Sequence, residues 1–221
     1  MSTILYDPIK TMAKVTDSVI VGFSGGKDSV VTLDLCMRHF DRVAAFFMYQ
    51  CPDMEFQERN LRFYERKYGI EIMRLPHFDV SPMFRYGAYR DPDWTVPVVG
   101  MNEVYDYVRS ETGIYWIAAG ERIADSLIRR AMIKKSGSID EKRGRFYPIS
   151  GWKKGEVVKY IKHRKLKLPV EYEKLGFSFR SIDGPNLAFI KQQFPDDYEK
   201  VLRLYPYAEA AVRRFEEYGG R

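Results

Sequence analysis

Near the start of the chain, Ser24, Gly25, Gly26, Lys27, Asp28 and Ser29 stand in a row, and these residue types suit phosphate binding. Two glycines let the backbone approach an anion closely and take up positive φ angles. The first amides of a helix beginning here would have no internal partners and could donate to phosphate oxygens. Ser24 and Ser29 add hydroxyl donors, and Lys27 adds a point charge able to follow phosphate charge during a reaction. Asp28 is the unusual member. A carboxylate beside a phosphate is repulsive unless it holds a cation or caps the helix, so Asp28 is a candidate Mg2+ ligand or a cap. Two better-known loops do not fit. Asp28 separates Lys27 from Ser29, which breaks the Walker pattern, and no Gly-x-Gly-x-x-Gly is present. Kinase-like transfer of a γ-phosphate is therefore disfavoured.

Such a loop needs a strand before it and a helix after it. Residues 18–23 form a short β-branched apolar run, the pattern of a buried parallel strand. Val30, Val31, Leu33, Leu35 and Met37 come next with helical spacing. Further strands are expected over 42–48 and 70–75, with a helix over 53–68 between them. Two β-α-β crossovers imply a parallel sheet covered by helices, with ligands at the carboxyl edge of its strands. Residues 76–100, with Pro76, Pro82, Pro92 and Pro97, suggest a long ordered loop. Helices are expected over 103–112, 121–135 and 152–163, and strands over 114–119 and 145–149. Residues 136–144 suggest a mobile segment, and the tail suggests helical pieces broken at Pro195 and Pro206.

Bulk composition narrows the class. Hydrophobic residues at 45% and charged residues at 30% are ordinary globular proportions, against wholesale disorder. A formal charge of +6 favours anionic partners, nucleotides and nucleic acids alike. Taken one at a time, the lysine clusters at 134–135, 153–154 and 162–167 are solvated basic faces. Cys36 and Cys51 are the two cysteines and form no Cys-x-x-Cys pair, so no iron–sulfur cluster is expected within one chain. A disulfide framework is equally unexpected. With no basic-then-apolar leader and no apolar run of about 18–20 residues, the expectation is a cytoplasmic protein outside the membrane.

The hexapeptide at 24–29 behind a buried strand resembles the PP-loop of the adenine nucleotide α-hydrolases, or N-type ATP pyrophosphatases. Gly120, Arg122, Ser126 and Arg129 resemble the Gly-x-Arg-x-x-x-Ser-x-x-Arg pattern of the phosphoadenosine phosphosulfate (PAPS) reductase-like branch. Pro148, Ile149 and Trp152, then Val158, Tyr160 and Ile161, resemble its Pro-Ile-x-x-Trp helix entry. Residues 166–169, Tyr172 and Gly176-Phe177-Ser178 are similar to the segment downstream of that helix in the same branch. The resemblance implies a doubly wound, Rossmann-like α/β fold of the HUP type, with five parallel strands. It would occupy residues 1–184, with a helical extension over 185–221 packed on it. It also implies adenine held by backbone near Phe47 and Met48, and phosphates or a sulfate-bearing group facing Arg122 and Arg129. As a pair on one side of a helix, the arginines could bind oxyanions in bidentate fashion. As ordinary surface groups they would pair with Asp125.

One departure bears on activity. Thioredoxin-dependent reductases of this branch end in a Glu-Cys-Gly-Leu-His-like tail, whereas residues 216–221 hold no cysteine. The leading expectation is therefore an enzyme that cleaves ATP between the α and β phosphates and adenylylates an acceptor. Lys27, Asp28 and Arg129 are its candidate catalytic residues, with Mg2+ as cofactor and ATP or PAPS as substrate. The alternatives are a PAPS-reductase-type enzyme using Cys51 or a partner's thiol, and a nucleotide-binding subunit of a nucleic-acid-modifying assembly. A protein partner, a homodimer and a nucleic acid are compatible partners.

Overall fold

The computed structural model describes residues 7–175, 179 and 181–219; the Gly176-Phe177-Ser178 part of the family resemblance and the last two tail residues lie outside them. β1 (Ser18–Gly22) is the strand expected before the phosphate loop, and Val19, Ile20 and Val21 are fully buried in it. Burying each such side chain contributes about 1.5–3 kcal/mol. On its two sides lie β2 (Arg42–Tyr49) and β4 (Ile117–Ala118), both parallel to it, with Ile20 opposite Ala44 and Ile117. Adding β3 (Ile72–Pro76), β5 (Ile139–Asp140) and β6 (Arg145–Phe146) completes a sheet of order β3-β2-β1-β4-β6-β5.

The sheet has six strands, not the five expected. β5 runs antiparallel to β6, with Ile139 opposite Phe146. The expected mobile segment at 136–144 is where this strand forms. Asp140 accepts from the Arg143 amide at 3.2 Å, and Gly144 at φ 60° completes a tight turn that folds the chain back. Two other expectations are corrected. The 76–100 stretch contains the helix α4 (Val80–Tyr86), ended by Gly87 at φ 78°. The residues after it are fastened by Arg85, which donates to the carbonyls of Trp94 and Val96 at 2.8 Å each. The helix expected over 121–135 starts only at α6 (Leu127–Ser136), and residues 121–125 form a turn.

The chain forms two compact units. The first comprises residues up to 47, 64–73 and 108–168; the second comprises 48–63, 74–107 and 169–221. In the first, the short α1 (Pro8–Met12) precedes β1, and α2 (Lys27–His39) packs on β1 and on α7 (Lys154–Arg164). Val30, Val31 and Leu33 supply the buried face of α2. Its acidic first turn and basic last turn complement the helix dipole. The long α3 (Glu55–Tyr68) and α5 (Met101–Thr112) each run from one unit into the other.

In the second unit, α9 (Gly184–Gln193), α10 (Pro195–Leu204) and α11 (Ala208–Tyr218) come after α8 (Val170–Leu175). Pro195 opens α10, where its missing N–H costs nothing. Phe56, Leu187, Ile190, Val201 and Tyr205 join one buried cluster. Asp197 of α10 caps the start of α3, accepting from the amides of Glu55 at 2.8 Å and Phe56 at 3.2 Å.

Candidate functional site

After β1 the chain turns into α2 through the glycines. Gly25 has φ 74°, a left-handed conformation that favours glycine. Gly26 is the N-cap, extended at φ −70° and ψ 162°, with no side chain capping the helix. Asp28 lies inside the first turn, so it is not the cap. The amides of Lys27, Asp28 and Ser29 thus open the helix without intrahelical acceptors. Ser29 is buried and braces the turn: its hydroxyl donates to the Gly26 carbonyl at 2.9 Å and accepts from Ser24 at 3.1 Å. Thr32 donates to the Asp28 carbonyl at 2.9 Å.

A second segment comes against this turn. Gly120, just past β4, has no Cβ, and one added there would lie 3.1 Å from the Asp28 carbonyl carbon and the Ser29 nitrogen. The close approach is what brings Arg122 to Asp28. Its Nε lies 2.8 Å from Asp28 Oδ1, a charge pair in which neither atom makes an aligned hydrogen bond. The other carboxylate oxygen of Asp28 accepts from Lys27 Nζ. Arg122 is only 4% exposed, and its other nitrogens are committed to the Asp125 carboxylate and, at 3.2 Å, to the Trp152 carbonyl. Asp125 also pairs with Arg129 Nη1 at 3.2 Å. The result is an unbroken line of alternating charge, Lys27, Asp28, Arg122, Asp125 and Arg129.

This differs from the expected pair of arginines on one helix. Arg122 precedes the helix, in the turn, and is buried among its partners. Arg129 lies on α6 and is half exposed, with one ionic contact. Ser126 is the N-cap of α6 and accepts from the Arg129 amide at 3.2 Å. Phe47 is buried at the end of the first unit's share of β2, and Met48 is the first residue of the second unit. Asp125, Thr32 and the Trp152 carbonyl belong to the cluster although sequence reasoning does not single them out as site residues. Asp125, which the sequence offers only as an ordinary ion-pair partner of the two arginines, pairs with both, from three residues after Arg122 and four before Arg129.

The cysteines are unsuited to nucleophilic work. Cys51 is buried with Sγ 3.7 Å from the Pro52 carbonyl; burial, reinforced by Asp197, pushes its thiol up to about 12. Burial also raises the thiol of Cys36 far above its ordinary value. Both are thereby kept protonated, and the thiolate is the reactive form.

Residues 18–182 match the model of the phosphoadenosine phosphosulfate reductase domain. The chain belongs to that family. With it, the chain is a PP-loop protein of the adenine nucleotide α-hydrolase superfamily. This PAPS reductase-domain chain is 29% identical over 217 residues to an uncharacterised protein of Methanocaldococcus jannaschii. The match takes in 88% of the chain but 43% of that protein, so the chain spans less than half of its relative. Among solved structures, a PAPS reductase from Candida auris in a phosphate complex aligns with a TM-score of 0.55 at 16% identity, over 80% of this chain and 89% of that one. It shares the fold. A U34-tRNA thiolase from Methanococcus maripaludis aligns at 0.48 and 18%, over 90% and 76% of the two chains. An NH3-dependent NAD synthetase from Campylobacter jejuni aligns at 0.47 and 18%, over 96% and 92%.

The expected cofactor set, Mg2+ with no iron–sulfur cluster, is corrected. The thiolase structure carries a [4Fe-4S] cluster, against the expectation of none, while the cysteines of this chain are Cys36 and Cys51, both buried. Asp28, expected to hold Mg2+, is already neutralised by Lys27 and Arg122. Among the described residues, no group of three or more His, Cys, Asp or Glu is placed to hold a metal ion. No helix among them is long and apolar enough to cross a membrane.

Proposed function

We propose that this PAPS reductase-domain protein binds an adenine nucleotide through the turn at residues 24–29 and cleaves its α–β phosphate bond, adenylylating an acceptor. One observation carries the reading: Gly25 in the left-handed region delivers the chain to an uncapped helix start beside Lys27. Three amides and a cation converge there, the donor set an oxyanion needs.

The chemistry rests on what each group can release. Lys27 lies on Asp28, and an incoming phosphate competes for the same ammonium. Asp28 stays balanced by Arg122 when Lys27 leaves it. The acceptor oxygen attacks the α-phosphorus, the bond to the β-phosphate oxygen breaks, and pyrophosphate departs with charge that Lys27 offsets. The acceptor's proton passes to solvent. The helix-opening amides stabilise charge on the α-phosphoryl group. Arg129, half exposed, is the arginine able to meet a further anionic group on the substrate, since Arg122 is buried between Asp28, Asp125 and the Trp152 carbonyl. The buried Cys51, its thiol pushed up to about 12, speaks against the form of the reductive alternative that uses Cys51.

Calorimetric titration with ATP, and in parallel with PAPS, tests the reading. Lys27→Ala should weaken the preferred nucleotide at least about tenfold, a loss of about 1.4 kcal/mol. Equal affinity in the variant places the nucleotide elsewhere. ADP accumulating in place of pyrophosphate and AMP products rules out cleavage at the α–β bond.

A further inference from the structure

A single apolar side chain in water needs no explanation, but a contiguous aromatic pair on an ordered segment does. Tyr86, the last residue of α4, is 61% exposed, and Trp94 is 64% exposed. Their rings meet edge to face, with centroids 6.0 Å apart and planes at 75°, so the two stand together on the second unit. The segment that carries Trp94 is pinned along α4. The Asp93 amide donates to the Phe84 carbonyl at 3.0 Å, the Val99 amide donates to the Ser81 hydroxyl at 2.8 Å, and Arg85 holds the carbonyls of Trp94 and Val96. The pair is thus in place before anything binds, which lowers the ordering cost of binding. Two carboxylates accompany Trp94. Asp91 accepts from the Tyr207 hydroxyl at 3.0 Å, and hydrogen bonds from Thr95 hold the Asp93 carboxyl below its ordinary value. No ion pair engages either of them among the described residues. The neighbouring cations are turned inward: Arg85 donates to its two carbonyls, and Arg90 donates to the Leu204 carbonyl at 3.2 Å and lies 3.8 Å over the Phe84 ring.

Size and charge together identify the occupant. An aromatic side chain offers about 150–250 Å², so this pair at six-tenths exposure presents roughly 200–300 Å². Stable contacts between globular proteins take about 800 Å² from each partner, which is far more than the pair supplies to a second copy of the chain. A symmetric contact through it would also set the carboxylates of one copy beside those of the other. The same carboxylates repel the phosphates of a nucleic acid or an anionic membrane. A short segment of another protein fits the small contact, provided that it loses little freedom on binding. Polyproline II helices are extended before they bind, and proline-rich segments dock on aromatic side chains. We propose that Tyr86 and Trp94 form a docking platform for a proline-rich segment of a partner protein, with a lysine or arginine of that segment facing Asp91 and Asp93. None of these residues belongs to the turn at 24–29 or to the charge line from Lys27 to Arg129, so the inference stands apart from the nucleotide reading.

Fluorescence anisotropy of the full chain with a labelled peptide of about ten residues, a Pro-x-x-Pro core beside two arginines, tests it. Saturable binding is expected below about 1 mM peptide. Peptides with the prolines replaced by alanine, or the arginines by glutamate, should bind at least about tenfold more weakly. Trp94→Ala and Tyr86→Ala should each weaken binding at least about tenfold, as truncating a central aromatic anchor does. Trp94→Ala keeps the backbone carbonyl that Arg85 holds, and an unaltered thermal midpoint confirms that the variant is folded. D91N/D93N should weaken binding about two- to tenfold and flatten its dependence on salt. Tyr218→Ala removes a tyrosine of α11 that is 75% exposed and should change affinity less than about twofold. The proposal is overturned if binding does not saturate by about 1 mM, if the alanine-substituted peptide binds equally well, or if Tyr218→Ala costs as much as Trp94→Ala. Self-association in sedimentation, or binding of single-stranded RNA, that Trp94→Ala abolishes overturns it in favour of that occupant.

Discussion

Asp28 and Asp34 belong to the same helix, α2, and each pairs with an arginine from a distant part of the chain, yet their surroundings differ. Asp34 is 1% exposed and accepts from Tyr68 at 2.7 Å, Tyr160 at 2.6 Å and Arg164 at 3.1 Å. Burial raises its carboxyl, but the two hydroxyls and the guanidinium outweigh it and hold the group below the usual carboxylate range. Asp28 is 21% exposed, its contact to Arg122 is not aligned as a hydrogen bond, and its second partner is the flexible Lys27. Saturation distinguishes them. Every acceptor direction of Asp34 is spent on joining α2 to α7 and to the end of α3, whereas Asp28 holds only the flexible Lys27 by a hydrogen bond and meets Arg122 without an aligned one.

The contrast can be broken most forcefully at Asp34. Asp34→Ala leaves the hydroxyls of the half-buried Tyr68 and Tyr160 and the partly exposed Arg164 guanidinium without their acceptor, and urea denaturation should show a loss of about 3–5 kcal/mol. An unchanged midpoint would mean that this network is ornamental. Because the folded carboxyl titrates below its unfolded value, its contribution is complete above the unfolded value and fades as pH falls through the folded one.

Glu171 of the second unit supplies the opposite case. It is 3% exposed with Oε2 unpartnered, and burial lifts its carboxyl from 4.5 to about 7. The folded state holds this proton more tightly, so stability should decline as pH rises from 4.5 to 7 and then level off. At about 1.4 kcal/mol per pH unit of displacement, the decline is up to about 3 kcal/mol. Glu171→Gln should flatten it in denaturation curves taken at several pH values; a decline that persists in the variant assigns it to another group.

Smaller effects sharpen the Asp28 side. Gly120→Ala should displace the first turn of α2 and cost about 1–3 kcal/mol of stability, with weaker nucleotide binding measured by calorimetry. Full affinity in that variant would show that the close approach does not position the amides. Asp28→Asn should release Lys27 and raise affinity for inorganic pyrophosphate about two- to fivefold, an effect under about 1 kcal/mol. A lower affinity would show that the carboxylate assists the anion instead of competing with it.

Legibility tracks the range of the interactions. The strand, glycine turn and helix around residues 18–39 are readable because β-branched burial, glycine torsion and helix spacing act between near neighbours. The helix breaks at Pro195 and Pro206 are readable for the same reason. The 121–125 turn reads as helix in the sequence because its residues suit one; what opens it is the Arg122 side chain reaching Asp28 and Trp152 while its amide donates to Asp125 at 3.0 Å. β5 escapes the sequence because two residues carry too little periodicity to register, and only pairing with β6 makes them a strand.

By itself, the order of amino acids determined that a glycine turn would stand between a buried strand and a helix, and that family membership would follow from it. Tertiary structure decided which carboxylate would be locked and which would stay exchangeable, that Arg122 would be buried while Arg129 stayed half exposed, and that Asp197 would cap α3. Contacts of this kind join residues far apart in the chain, and their energies depend on burial and alignment that exist only once the elements have packed.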